Sequence, residues 1–170
     1  MNNKNILTVL ALIAIAFVTR FIPHAPNFTA IGAMALFGGA YLKDKKVAFL
    51  IPVAALVLSD VIIGFHNTML AVYASFITIG FIGFTLSGKV NVKNVAFASL
   101  ASSALFFVVT NFAVWAIGDF YSKDTVGLTT CFVAALPFFT NTILADLFYS
   151  ALLFGAMHLI TQSNLVKQRI

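Results

Sequence analysis

The sequence predicts an all-α, polytopic membrane protein of six transmembrane helices, both ends cytoplasmic, forming one domain over residues 1–170. Three observations predict it: charge is too sparse for a soluble surface, apolar runs recur at span length, and Lys and Arg gather in alternate connections. Hydrophobic residues make up 61% of the chain and charged ones 9%, with 19 Phe. A soluble domain carries about 25% charge to cover its surface, so this chain suits lipid rather than water. At about 20 residues per span, six spans with short connections use nearly all of the 170 residues. The net charge of +5 is spread between apolar runs, whereas a nucleic-acid site groups its basic residues; no nucleic-acid partner is expected. The lone Cys131 excludes an internal disulfide framework.

The first run, 6–22, follows Lys4 and imitates the apolar part of a signal peptide. Because more runs follow, it reads as an uncleaved first helix. The second, 28–42, opens after Pro26 and Asn27, residues suited to a helix start. Its Gly32, Ala35, Gly38 and Gly39 permit close helix contact, as do Gly80 and Gly83 on the fourth run, 69–86. The third, 47–65, holds Pro52 in its first half, where a kink fits. The fifth covers 95–117. The last apolar stretch is too long for one upright helix. Pro137 is expected to divide it, leaving 131–136 interfacial or re-entrant before a span over 138–160. No internal repeat is visible.

Orientation follows from the basic residues. Lys4, Lys43, Lys45, Lys46, Lys89, Lys93, Lys167 and Arg169 fall on one side of such a bundle, and Arg20 and Lys123 on the other. The positive-inside rule puts the richer side in the cytoplasm.

Ionisable and polar residues inside spans are costly and mark pockets or pathways. In this topology Arg20, Asn27, Asp60, Asn111, Trp115, Asn141 and Asp146 all fall towards the outer side. A channel would carry polar groups through the whole thickness; polarity at one end suggests a cup closed below. Phe106, Phe107, Phe112, Phe138, Phe139 and Phe148 supply apolar walls, and such mixtures make small-molecule pockets. Each residue also has a plainer reading. Arg20 can snorkel to lipid phosphates; Asp60 can be a solvated helix end or Arg20's ion-pair partner. Asn111 and Asn141 can bridge helices, and Trp115 can belong to an interfacial belt. Asp146, about two turns into its span, is the hardest to explain without a ligand or a tight partner. His24 and His66 with Asp60 offer metal chemistry, but their spacing carries no ligand signature and no metal site is assigned.

The stretches Arg20-Phe-Ile-Pro-His-Ala-Pro-Asn27, Gly32-Ala-Met-Ala-Leu-Phe-Gly-Gly, Ser59-Asp60 with Gly64-Phe-His66, Asn111-Phe-Ala-Val-Trp115 and Pro137-Phe-Phe-Thr-Asn141 with Asp146 resemble a family of uncharacterised bacterial integral membrane proteins. More distantly, the architecture is similar to the substrate-binding S components of energy-coupling-factor transporters. That likeness implies a vitamin-like or micronutrient solute and a membrane coupling subunit driven by ATPases. It carries no residue motif: Ala11, Ala14 and Ala16 lack the Ala-x-x-x-Ala docking spacing. An enzyme is not expected. Asp60 and Asp146 lack the Tyr-Asp and Gly-x-Gly-Asp contexts of membrane aspartyl proteases, and Ser87 lacks a nucleophile elbow. No catalytic residue and no cofactor are assigned. The expected function is binding and uptake of a small solute from the outer side, with the lipid bilayer as the other partner. An autonomous secondary transporter or channel, or a structural membrane protein, is the alternative.

Overall fold

Short polar side chains set the starts of three helices. Asp44 accepts hydrogen bonds from the amides of Lys46 at 2.9 Å and Val47 at 3.4 Å, Asn91 from Asn94 at 2.9 Å, and Asp124 from Gly127 at 2.7 Å. Each satisfies donors that the first helical turn leaves without a partner. The computed structural model describes residues 3–167. Arg169 lies outside them, and the side chains of Lys4 and Lys167 are not described.

Among the described residues there are six α-helices and no strand. They are α1 (Asn3–Val18), continued by a 3-10 turn (Thr19–Phe21), α2 (Ile31–Tyr41), α3 (Lys45–Ile63), α4 (Met69–Thr85), α5 (Val92–Ile117) and α6 (Thr125–Lys167). Three are long and apolar enough to cross a membrane: α3, α5 and α6 over Thr125–Ser163. The other three are shorter apolar helices. Large apolar side chains such as Leu7, Leu50, Ile62, Phe97 and Leu159 stand exposed around the outside, an arrangement lipid favours and water does not.

The helices fall on the six apolar runs, with two differences of substance. The sequence reading divides the last run at Pro137, yet α6 continues through it. Proline forfeits one amide hydrogen bond and crowds the carbonyl four residues back, and flanking turns on both sides carry the helix across that gap. The segment 131–136 is therefore helix, not a separate turn. Pro52 likewise lies inside an unbroken α3.

The second difference concerns α2, which starts at Ile31 rather than 28. Its 11 residues reach about 16 Å, roughly half of a hydrocarbon core of about 30 Å. Ile31 to Ala40 are all buried, and α2 touches each of the other five helices. It is apolar all round, the pattern of a helix enclosed by others. In its C-terminal half Phe37 and Tyr41 interlock with Phe154 of α6, with ring centroids 4.9–5.6 Å apart. A central helix that stops halfway leaves space above its N-terminus.

Asp124 offers a check on the capping argument. The Gly127 amide and then the Ser122 hydroxyl hold its carboxyl below the usual range. A carboxyl lowered on folding supports the fold above its unfolded pKa, and that support is lost as pH falls through the lowered value. Asp124→Ala should therefore speed amide exchange over 125–128 at neutral pH, leaving α5 unchanged. Equal protection in both proteins would show that the cap adds nothing.

Candidate functional site

The space above α2 is a cavity of about 500 Å³. Three helices each present one face to it. From α4 come Val72, Phe76 and Ile79; from α5 Phe106, Phe107, Thr110, Asn111 and Val114; from α6 Phe138, Phe139, Thr142 and Asp146. Those spacings of three, four and seven residues put side chains on one helical stripe. Gly32 of α2 lies at the floor, and Arg20, His24, Pro26, Asn27 and Thr29 come from the connection above. His24 and His66 are exposed at the mouth.

Asp146 is 4% exposed. Its Oδ2 accepts a hydrogen bond of 2.7 Å from the Ser103 hydroxyl on α5. Its Oδ1 lies where a Cβ at residue 32 would stand, so only glycine leaves room for the carboxylate at this close approach. The first intrahelical bond of α2 runs from the Met34 amide to the Ala30 carbonyl at 2.8 Å. The amides of Ile31, Gly32 and Ala33 are thus helix-end donors, and the positive end of the α2 dipole favours a negative charge nearby.

Arg20 also lines the cavity, anchored from behind. Its Nη2 donates to Asp60 Oδ1 at 3.2 Å, and the Tyr73 hydroxyl donates to Asp60 Oδ2 at 2.8 Å. The pair ties the end of α1 to α3 and α4. Asp60 is 2% exposed, and both its oxygens are engaged. Buried charge of this kind survives only when paired and hydrogen-bonded.

Backbone carbonyls take up the donors of several lining groups. The Thr110 hydroxyl donates to Phe106 O at 2.7 Å, Thr142 to Phe138 O at 2.9 Å, and the Asn111 amide to Phe107 O at 2.7 Å. A hydroxyl has one hydrogen and two lone pairs, so both threonines are left as acceptors. Among the described residues no three His, Cys, Asp or Glu side chains group as metal ligands. His24 Nδ1 is 2.6 Å from Ile22 O and His66 Nδ1 is 3.0 Å from Thr68 Oγ1.

Residues 1–168 match the model of a family of unknown function, DUF6580. The chain belongs to that family. No curated protein and no solved structure matches it.

In this DUF6580 chain the residues singled out from sequence divide into three groups. Arg20, Asn27, Asn111 and Asp146 meet at the cavity, with Phe106, Phe107, Phe138 and Phe139. Asp60 and Asn141 do not line it: Asp60 holds Arg20, and Asn141 donates to Pro26 O at 3.0 Å, fastening the connection over the mouth. Asn27 has a left-handed backbone, φ 63°, which Asn tolerates better than most residues, so the turn itself accounts for its identity. Trp115 stands apart. Its Nε1 donates to Ser122 O at 2.8 Å, and Lys123 donates to Trp115 O and Gly118 O. It closes the α5–α6 turn because an indole N–H has one donor to place and the turn offers a carbonyl. Phe112 packs on Trp115, and Phe148 on Phe28 and Tyr149, away from the cavity lining.

Sequence reasoning missed Thr29, Gly32 as a floor residue, Phe76, Thr110 and Thr142, together with Ser103 and Tyr73 behind them. One signal was present. Phe106-Phe107-x-x-Thr110 on α5 recurs as Phe138-Phe139-x-x-Thr142 on α6. The two segments face one space, with Phe107 and Phe139 stacked at 4.4 Å.

Proposed function

We propose that this chain is a membrane-embedded binding protein for the uptake of a small solute, reached from the extracytoplasmic side of a bacterial inner membrane. In this reading the chain makes six passes with both termini inside. The pass through α2 is completed by the 22–30 connection folded over the cavity. Eight basic residues on one side against two on the other support that orientation. The observation that carries the reading is the cavity: about 500 Å³, within the size of small-molecule sites, walled by phenylalanines and carrying a few placed polar groups. In this reading the chain acts as a solute-binding subunit of the energy-coupling-factor type, handing its cargo on through a membrane coupling subunit with ATPases. Vitamin-like and other micronutrient molecules are the solute class.

Mass spectrometry of small molecules that co-purify with the detergent-extracted protein tests this, with Thr110→Trp as comparison. The larger side chain takes up part of the cavity, and the hydroxyl it removes has its hydrogen on Phe106 O. A compound enriched with the wild type and absent from a folded Thr110→Trp sample is the expected result. Equal recovery from both would remove the cavity from the argument.

A second reading, an autonomous secondary transporter, draws on one observation. Below Asp146 the polar groups continue for a turn: Ser103 lies 3.1 Å from Ser99 O, and the Ser99 hydroxyl donates to Ser150 Oγ at 2.9 Å, all buried. Solute flux into proteoliposomes holding this chain alone, without nucleotide, would favour it over partner-dependent uptake.

A further inference from the structure

We infer that the solute taken into this cavity carries a positively charged nitrogen, held against Asp146 with the phenylalanines around its apolar part. This rests on the binding-protein reading above and names the chemical class of what is bound. Charge balance is the first argument. Among the described residues the Arg, Lys, Asp and Glu side chains that line the cavity are two, Arg20 and Asp146. Arg20 is already matched by Asp60. Asp146 receives one hydroxyl from Ser103, and beside it at Gly32 stands the N-terminus of α2, equivalent to about half a charge. That support favours an anion at Asp146 without neutralising it. A buried carboxylate left so is costly, and a cation entering the cavity relieves the cost.

The second argument is hydrogen-bond polarity. Thr110 and Thr142 spend their hydroxyl hydrogens on Phe106 O and Phe138 O. What they offer the cavity is lone pairs, and Asp146 Oδ1 adds another acceptor beside Gly32. An ammonium or amidinium has donors and no acceptor, the complement of this wall. A carboxylate or phosphate solute would be repelled by these oxygens. Arg20 and Asn111 also line the cavity and carry donors, one of each already committed to Asp60 and Phe107 O.

The third is the wall itself. Phe76, Phe106, Phe107, Phe138 and Phe139 line the same space as Asp146, and ring faces attract cations through their quadrupole, more strongly when water is excluded. Carboxylate, acceptors and rings all select the same sign of charge.

Three probes with one aromatic body separate the possibilities: phenethylamine, phenethyl alcohol and hydrocinnamate, which are cationic, neutral and anionic at pH 7. Binding to the full chain in detergent is measured by calorimetry, with Asp146→Asn as the control for partition into micelles. The amine should bind tighter than the alcohol by about tenfold or more, the worth of a charge-assisted hydrogen bond. The acid should bind weakest, and Asp146→Asn should erase the preference. An alcohol or acid that binds as tightly as the amine overturns the charge inference and leaves the binding-protein reading standing. A preference that survives in Asp146→Asn overturns the role of Asp146. No heat from any probe overturns the inference together with the reading it rests on. If Asp146→Asn does not fold, the order of the three probes on the wild type still decides.

Discussion

Gly83→Leu is expected to leave no folded, monodisperse protein in mild detergent. The Cβ of any larger residue at 83 would overlap the Leu36 carbonyl and lie 3.0 Å from Gly39 Cα, and a Cβ at 39 would meet Gly80 O and lie 3.0 Å from Gly83 Cα. These neighbours are backbone, so no side chain can turn away. Overpacking a core with flexible neighbours costs about 1–3 kcal/mol; here the two helices must separate. Separation is unusually costly because α2 is the helix every other one packs on. Gly155→Ala is the matching control, since nothing lies within 4 Å of an added Cβ there. It should be neutral or stabilise α6 by about 0.5–1 kcal/mol through helix propensity. Size-exclusion profiles and melting curves of both variants check the contrast. A well-folded Gly83→Leu would mean that α2 and α4 do not approach this closely.

Asp60→Ala should destabilise the protein by about 3–5 kcal/mol, the usual loss when one member of a buried ion pair is removed. The variant strands the Arg20 guanidinium and the Tyr73 hydroxyl, both of which use Asp60. The guanidinium is already short of partners, for Arg20 Nε is buried without one. The double variant Arg20→Met with Asp60→Leu should be less damaging than Asp60→Ala alone, because both charges leave together. Equilibrium unfolding of Arg20→Met, Asp60→Leu and the double closes the cycle. Strictly additive losses would mean the pair is not coupled.

Much of the fold was legible because lipid-facing helices announce themselves by composition. α3, α4 and α5 begin and end within three residues of the apolar runs 47–65, 69–86 and 95–117. The gathering of Arg20, Asn27, Asn111 and Asp146 was legible too, since helices of known direction put their polar ends at one level. What composition could not give is which side chain meets which. Asp60 and Asp146 look alike in sequence, yet one is tied off by Arg20 and Tyr73 and the other lines the cavity beside Gly32. The difference lies in contacts between residues 40 and 13 positions apart for Asp60, and 43 for Asp146. Pro137 misled because a proline rule with real force in isolated helices yields when tertiary packing holds both flanks. The shortness of α2 was hidden by the apolar residues before it: Phe28 extends the run but serves the connection, packing on Phe148 and Tyr149.

The half-length of α2 also sets how binding should register in heat. Space left by a missing helical half, lined by threonines, two asparagines and a carboxylate, has the room and the polar partners to hold water. At about 30 Å³ per molecule, the cavity of about 500 Å³ holds on the order of fifteen waters. Waters placed against the phenylalanine rings would be poorly bonded, since a ring face offers no strong acceptor or donor. A solute that settles there returns those waters to bulk, so its association should carry a negative heat-capacity change.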